Sequence, residues 1–74
     1  MPPIQIVVNG VTYTVSTNPP PAGAMPVQLG FGWQPLSQAV ANAAMSLGQH
    51  YVGNPAGQQA WLTGLINSGQ LHVW

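Results

Sequence analysis

The sequence predicts one small α+β domain over residues 1–74, with element order ββααβ: a mainly antiparallel three-stranded sheet with two helices packed on one face. Three observations predict this architecture. Two alternating apolar segments flank an Asn-Gly pair near the start, two stretches with helical apolar spacing occupy the middle, and the last five residues alternate again. The length suffices for one modest core, and no internal repeat is visible.

The first element is a β-hairpin over residues 3–16. Asn9 and Gly10 supply the two positive-φ residues of a type I′ turn, whose twist matches that of the strands it joins. The register that follows places three apolar pairs on one face: Val8 and Val11, Ile6 and Tyr13, and Ile4 and Val15. The other face is mostly polar and carries Gln5, Val7, Thr12 and Thr14.

Residues 17–34 form a loop rich in Pro and Gly. Its three consecutive prolines, at positions 19–21, exclude a helix or a central strand because proline has no N–H to donate. The sequence does not decide whether Val27 and Leu29 form a short edge strand, which would be the fourth strand of the sheet. The chain then turns and directs two aromatic side chains, Phe31 and Trp33, toward the core.

The first helix is predicted over residues 35–48. Pro35 suits its first position, and Gly48 suits a left-handed end. Its apolar stripe is Leu36, Val40, Ala43, Ala44 and Leu47.

The second helix is predicted over residues 54–68. Asn54 is its cap, Pro55 lies in its first turn, and Gly69 follows its end. Its apolar stripe is Trp61, Leu62, Leu65 and Ile66. Gly64 weakens the helix by about 1 kcal/mol relative to Ala and is expected to allow close packing on the first helix.

The last strand is predicted over residues 70–74, where apolar and polar side chains alternate. Leu71 and Val73 are expected to face the core. Gln70, His72 and Trp74 then face outward, on the same side of the sheet as Gln5 and Val7.

The chain contains no Asp, Glu, Lys or Arg, and its formal net charge is zero. Because such residues make up about a quarter of an average domain, their chance absence has a probability on the order of 10⁻⁹. The favoured hypothesis is an engineered, charge-free variant of a small binding or interaction domain that demonstrates folding without ionic side chains. The alternative is a natural self-assembling structural protein, such as a fibre or virion component. Zero net charge removes mutual repulsion, so the chain is expected to be a monomer or prone to self-association.

This composition excludes most catalytic mechanisms, so the protein is predicted not to be an enzyme. Paired carboxylates, a lysine Schiff base, a cysteine nucleophile and an arginine clamp are all impossible. His50 could face Ser46 one helical turn earlier, but no acidic residue exists to orient the imidazole, which favours a helix-end histidine near Tyr51. Together with His72 it gives only two neutral ligands, so neither a metal site nor a cofactor is predicted.

The same inventory limits the partners. Nucleic-acid binding loses its main source of affinity without Lys and Arg, and Asn and Gln interrupt every apolar run before it could span a membrane. The N-terminus lacks the basic region of a secretory signal, and nothing in the sequence indicates a compartment. A neutral ligand or a protein surface remains, since aromatic, amide and hydroxyl groups can bind either. Trp61, Trp33 and Tyr13 are expected in the core, which leaves His72 and Trp74 as the candidate ligand-binding residues.

Overall fold

A computed structural model of the chain describes residues 2–27 and 36–74. Its elements, in chain order, are β1 (Ile4–Val8), β2 (Val11–Ser16), α1 (Leu36–Ser46), α2 (Pro55–Asn67) and β3 (His72–Val73). The strands form one antiparallel sheet in the order β1-β2-β3. The predicted α+β class and the ββααβ order are therefore confirmed.

The hairpin has the predicted register, with Val8 opposite Val11 and Ile4 opposite Val15. Asn9 and Gly10 have φ angles of 51° and 78°, as a type I′ turn requires. Burial along the inward face increases away from this turn, because Val11 is 50% exposed whereas Val15 is completely buried. The turn thus projects beyond the core and the open end of the hairpin packs into it.

The loop after β2 returns to the sheet at Val27, whose N–H donates to the carbonyl of Val73 at 2.9 Å. Val27 makes this one bond to β3 without belonging to a strand, so within the described part of the loop the possible fourth strand is a single contact. Leu29 and the aromatic residues Phe31 and Trp33 lie outside the described residues, as does Pro35.

Both helices end in the same hydrogen-bonded turn. Gly48 and Gly69 have φ angles of 91° and 78°, and the residue after each donates to a carbonyl five positions earlier: Gln49 to Ala44, and Gln70 to Leu65, both at 2.9 Å. At the start of α2, the Asn54 side chain accepts from the N–H of Gly57 at 2.7 Å. The predicted Asn54 cap and the predicted left-handed end at Gly48 are therefore confirmed, and Gly69 has the same conformation.

The core lies between α1 and the inward face of the sheet, with α2 packed against α1. Its buried apolar residues are Val15, Val40, Ala41, Ala43, Ala44, Leu47, Leu62, Leu65, Leu71 and Val73. The prediction that Gly64 allows close helix packing is wrong. Gly64 is exposed and a Cβ there would meet nothing within 4 Å, because Leu62 and Leu65 turn the opposite side of α2 to the core.

The last strand is shorter than the predicted 70–74. The N–H of Gln70 is used to close the end of α2, and regular strand structure begins only at His72. Leu71 and Val73 are buried as predicted. In the two described segments, neither helix has the length and apolar character needed to cross a membrane.

Candidate ligand-binding face

The pairing of β3 with β2 determines where His72 and Trp74 point. Val73 lies opposite Val15, and both are buried in the core. Because side chains alternate along a strand, His72 and Trp74 belong to the opposite face. The register therefore agrees with the predicted outward orientation of His72 and Trp74.

Trp74 is the end of a row of side chains that crosses all three strands. The N–H of Thr14 donates to the carbonyl of Trp74 at 2.7 Å, and the N–H of Trp74 donates to the carbonyl of Thr14 at 3.0 Å. On the other side of Thr14, Gln5 is its partner in β1. Neighbouring strands lie about 4.8 Å apart, so an indole, a hydroxyl and an amide are adjacent on one surface.

We call this surface the outer face; it consists of Gln5, Val7, Thr12, Thr14, His72 and Trp74. Thr12 and Gln5 are exposed, whereas His72 and Trp74 are half-buried. Helix α1 packs on the other side of the sheet, and α2 packs against α1. The edge of the outer face at β1 is thus exposed, and its two candidate residues are partly accessible.

One end of the outer face is closed by the chain itself. Ser16 lies opposite His72 and is only 1% exposed. Its hydroxyl accepts the N–H of Asn18 at 3.0 Å, so the chain turns directly after β2. His72 therefore lies beside a covered position of this face.

The other aromatic candidates lie elsewhere. Tyr51 and Trp61 stack with ring centroids 5.2 Å apart and an interplanar angle of 25°. Trp61 and Tyr13 are partly buried and pack against the core, as expected from the sequence. Only Trp74, of the aromatic residues that the structure describes, belongs to the outer face.

Comparison of the chain with protein-family models, with curated proteins and with solved structures finds no match. The nature of its partner must therefore be argued from the chemistry of the face. All six side chains there are neutral or, in the case of His72, neutral in its unprotonated form.

Ser46 and His50 do not have the arrangement that a catalytic pair on one helix would need. Helix α1 ends at Ser46, and the left-handed Gly48 separates His50 from it. The Ser46 hydroxyl instead donates to the carbonyl of Asn42 at 3.4 Å. In the segments that the structure covers, no group of three or more metal-ligating side chains occurs, so His50 and His72 gain no further ligand.

Sequence reasoning missed a groove between β1 and α1, which we call the β1 groove. Its volume is about 410 Å³. It is lined by Ile4, Ile6, Val7, Ala39, Asn42, Ala43 and Ser46. The signal in the sequence is weak: small residues recur beside the apolar stripe of α1, but only the packing of α1 on the sheet shows that they border an opening.

Proposed function

We propose that this protein is a non-catalytic binding domain that holds an uncharged oligosaccharide on its outer face. The row of Trp74, Thr14 and Gln5 across the three strands supports the proposal most directly. Trp74 provides an aromatic platform, and Thr14, Gln5 and His72 provide donors and acceptors beside it.

The chemistry of a sugar matches this surface. A pyranose ring has an apolar C–H side, which stacks on an aromatic ring, and an edge of hydroxyls, which bond to amides, hydroxyls and imidazoles. The outer face offers both kinds of group and no formal charge, so an anionic or cationic ligand gains no ionic partner there. A neutral ligand loses nothing by that absence.

The proposal is tested by titrating wild type and two variants with a panel of neutral oligosaccharides. Trp74→Ala and His72→Ala should each weaken binding about tenfold or more, which corresponds to roughly 1.4 kcal/mol. His50→Ala is the matched control, because His50 is exposed and lies outside the outer face. Binding that is unchanged in Trp74→Ala would remove the outer face from consideration.

Amide chemical shifts give a second measurement that does not depend on substitutions. Bound ligand should shift the signals of Gln5, Thr14 and His72, while those of α2, which is packed against α1, remain in place. Shifts confined to α2 and the Tyr51–Trp61 stack would place binding on the wrong side of the molecule. If no oligosaccharide binds but a protein shifts the signals of the outer face, the binding site stays as proposed and the ligand is a protein instead of a sugar.

We also propose that the neutral surface was introduced by engineering into an ordinary small binding domain. In support, the hairpin turn, the Asn54 cap and the apolar core consist of the residue types that ordinary domains use for these features. Charges restored at exposed positions away from the outer face, such as Gln38→Glu and Asn67→Lys, should leave the fold unchanged and raise solubility. Unfolding of these variants would contradict an engineered origin.

One feature favours the alternative of assembly through the neutral surface, and it belongs to β1. Strand β1 is at the edge of the sheet and adjoins the β1 groove. An open strand edge is a site at which chains pair.

A further inference from the structure

The backbone of β1 has hydrogen-bonding groups that its own sheet does not use. Thr14 directs both its N–H and its carbonyl toward Trp74. Since these groups alternate in direction along a strand, the neighbours of Thr14 in β2 bond to Ile4 and Ile6 in β1. The N–H and carbonyl groups of Gln5 and Val7 therefore point away from the sheet.

The two edges of the sheet differ in how they are covered. At the β3 edge, the carbonyl of Val73 accepts the N–H of Val27. At the β1 edge, no strand among residues 2–27 and 36–74 lies beyond β1. Pairing of two β1 edges joins like to like, so it closes after two chains instead of continuing as a fibre.

We propose that the β1 edge is a homodimer interface, in which two copies of this chain pair their β1 strands antiparallel across a two-fold axis. The axis passes beside Ile6, so that Ile6 of one copy lies opposite Ile6 of the other. Gln5 of each copy then exchanges two backbone hydrogen bonds with Val7 of the other, which uses the groups that point outward. The result is one continuous six-stranded sheet.

The β1 groove fits a second copy because the residues of α1 that line it are small. They are Ala39, Asn42, Ala43 and Ser46. Helix α1 lies over β1 and β2, so its axis is about one strand spacing, roughly 4.8 Å, from the two-fold axis. The two α1 axes of the dimer are therefore roughly 10 Å apart. This is near the upper end of ordinary helix–helix distances, and small facing side chains allow the helices to approach more closely.

The composition supports a copy of the same chain as the occupant. Natural edge strands are commonly protected by charged side chains, and this chain has none at any position. Zero net charge also removes repulsion between identical molecules. Val7, at the open edge, is 69% exposed, and pairing would cover it.

Dimerisation does not depend on the proposed oligosaccharide binding. Pairing uses the backbone of β1, the β1 groove and, on the outer face, the edge residues Gln5 and Val7. It leaves Thr14, His72 and Trp74 open. Loss of one activity with retention of the other would therefore identify which proposal fails. Trp74→Ala should bind the oligosaccharide at least tenfold more weakly and still dimerise.

Sedimentation equilibrium over a range of concentrations, up to about 1 mM, is the main test. Wild type should reach twice the mass of one chain and no more. Val7→Lys should weaken the dimer at least tenfold, whereas Thr12→Lys should not, because Thr12 lies directly opposite Val7 on the same face but within the central strand. A wild type that stays monomeric, a growing series of larger species, or equal dimers in both variants would overturn the proposal.

A second pair of variants tests the role of the β1 groove. Ala39→Lys fills the β1 groove and should weaken the dimer at least tenfold, whereas Gln38→Lys, on the exposed surface beside it, should not.

Hydrogen exchange tests the same interface without a variant. In wild type, the amide hydrogens of Gln5 and Val7 should exchange quickly in dilute solution and slowly in concentrated solution. Exchange at these amides that is independent of concentration would contradict pairing at the β1 edge.

Discussion

Tyr51 restricts which residues can occupy two positions around the start of α2. Its phenolic hydroxyl donates to the carbonyl of Asn54 at 3.3 Å, and its ring stacks on Trp61. The hydroxyl occupies the space that a Cβ at Gly53 or at Gly57 would need. These two glycines are therefore explained by the close approach of Tyr51, although neither has a positive φ.

Two glycines of α2, Gly64 and Gly57, should respond to substitution by alanine in opposite directions. Ala is intrinsically a better helix former than Gly by about 1 kcal/mol, so Gly64→Ala should stabilise the protein by up to that amount because its Cβ meets open space. Gly57→Ala should instead destabilise it by about 1–3 kcal/mol, since the Tyr51 ring must move off Trp61. Urea unfolding measures both changes.

Tyr51→Phe provides the check on this explanation. The substitution removes the atom nearest to the added Cβ, so Gly57→Ala should cost much less in the Tyr51→Phe background. Equal effects of Gly57→Ala with and without the hydroxyl would show that the clash does not decide the stability.

Among the elements, α2 depends most visibly on one side chain. The Asn54 amide oxygen accepts the N–H of Gly57, which would otherwise lack a partner within the helix. Asn54→Ala should lower the free energy of unfolding by about 1 kcal/mol and speed hydrogen exchange at Gly57. Asn67→Ala is the control, because Asn67 is exposed at the other end of α2; a loss of similar size there would argue against a capping role.

The elements that the sequence predicted correctly carry their own local signals. Asn9-Gly10 determines the hairpin register, and Asn54 and Gly48 mark helix ends, because each acts through bonds within a few residues. The extent of β3 was not predictable in this way. The alternating pattern places Gln70 in the strand, but its N–H donates to the carbonyl of Leu65 in α2.

The candidate sites also differ in whether local sequence signals predict them. The orientation of His72 and Trp74 follows from alternation with buried Leu71 and Val73, so the outer face could be predicted. The β1 groove could not, since it depends on how α1 crosses the sheet. The Tyr51–Trp61 stack likewise requires two residues ten positions apart to meet around the start of α2.

At the scale of the whole molecule, the core and the sheet contain no ionic side chain. In the segments that the structure describes, no buried side-chain nitrogen or oxygen lacks a hydrogen-bond partner. Ser16 and Ser37 are the buried polar residues there, and both are hydroxyl residues with little to desolvate compared with a charge. Exposed ion pairs contribute about 0–1 kcal/mol each in ordinary domains, so their absence costs little.

The missing charges predict an unusually flat dependence of stability on pH. The slope of the free energy of unfolding against pH is proportional to the difference in bound protons between the unfolded and folded states. With no Asp, Glu, Lys or Arg, the side chains that can contribute are two histidines and two tyrosines. Between about pH 4 and about pH 9 the urea midpoint should therefore change little compared with that of an ordinary domain.

The two histidines provide the control for that prediction, because histidine is the residue type that proteins use as a charge switch near neutral pH. Any residual variation should be smaller in a variant with both His50→Gln and His72→Gln, measured at constant ionic strength and below the concentration at which dimers form. The concentration matters because dimerisation stabilises the folded state by mass action. A midpoint that moves steeply with pH in the double variant would mean that protonation of side chains does not control the stability, and the link between composition and pH dependence would be lost.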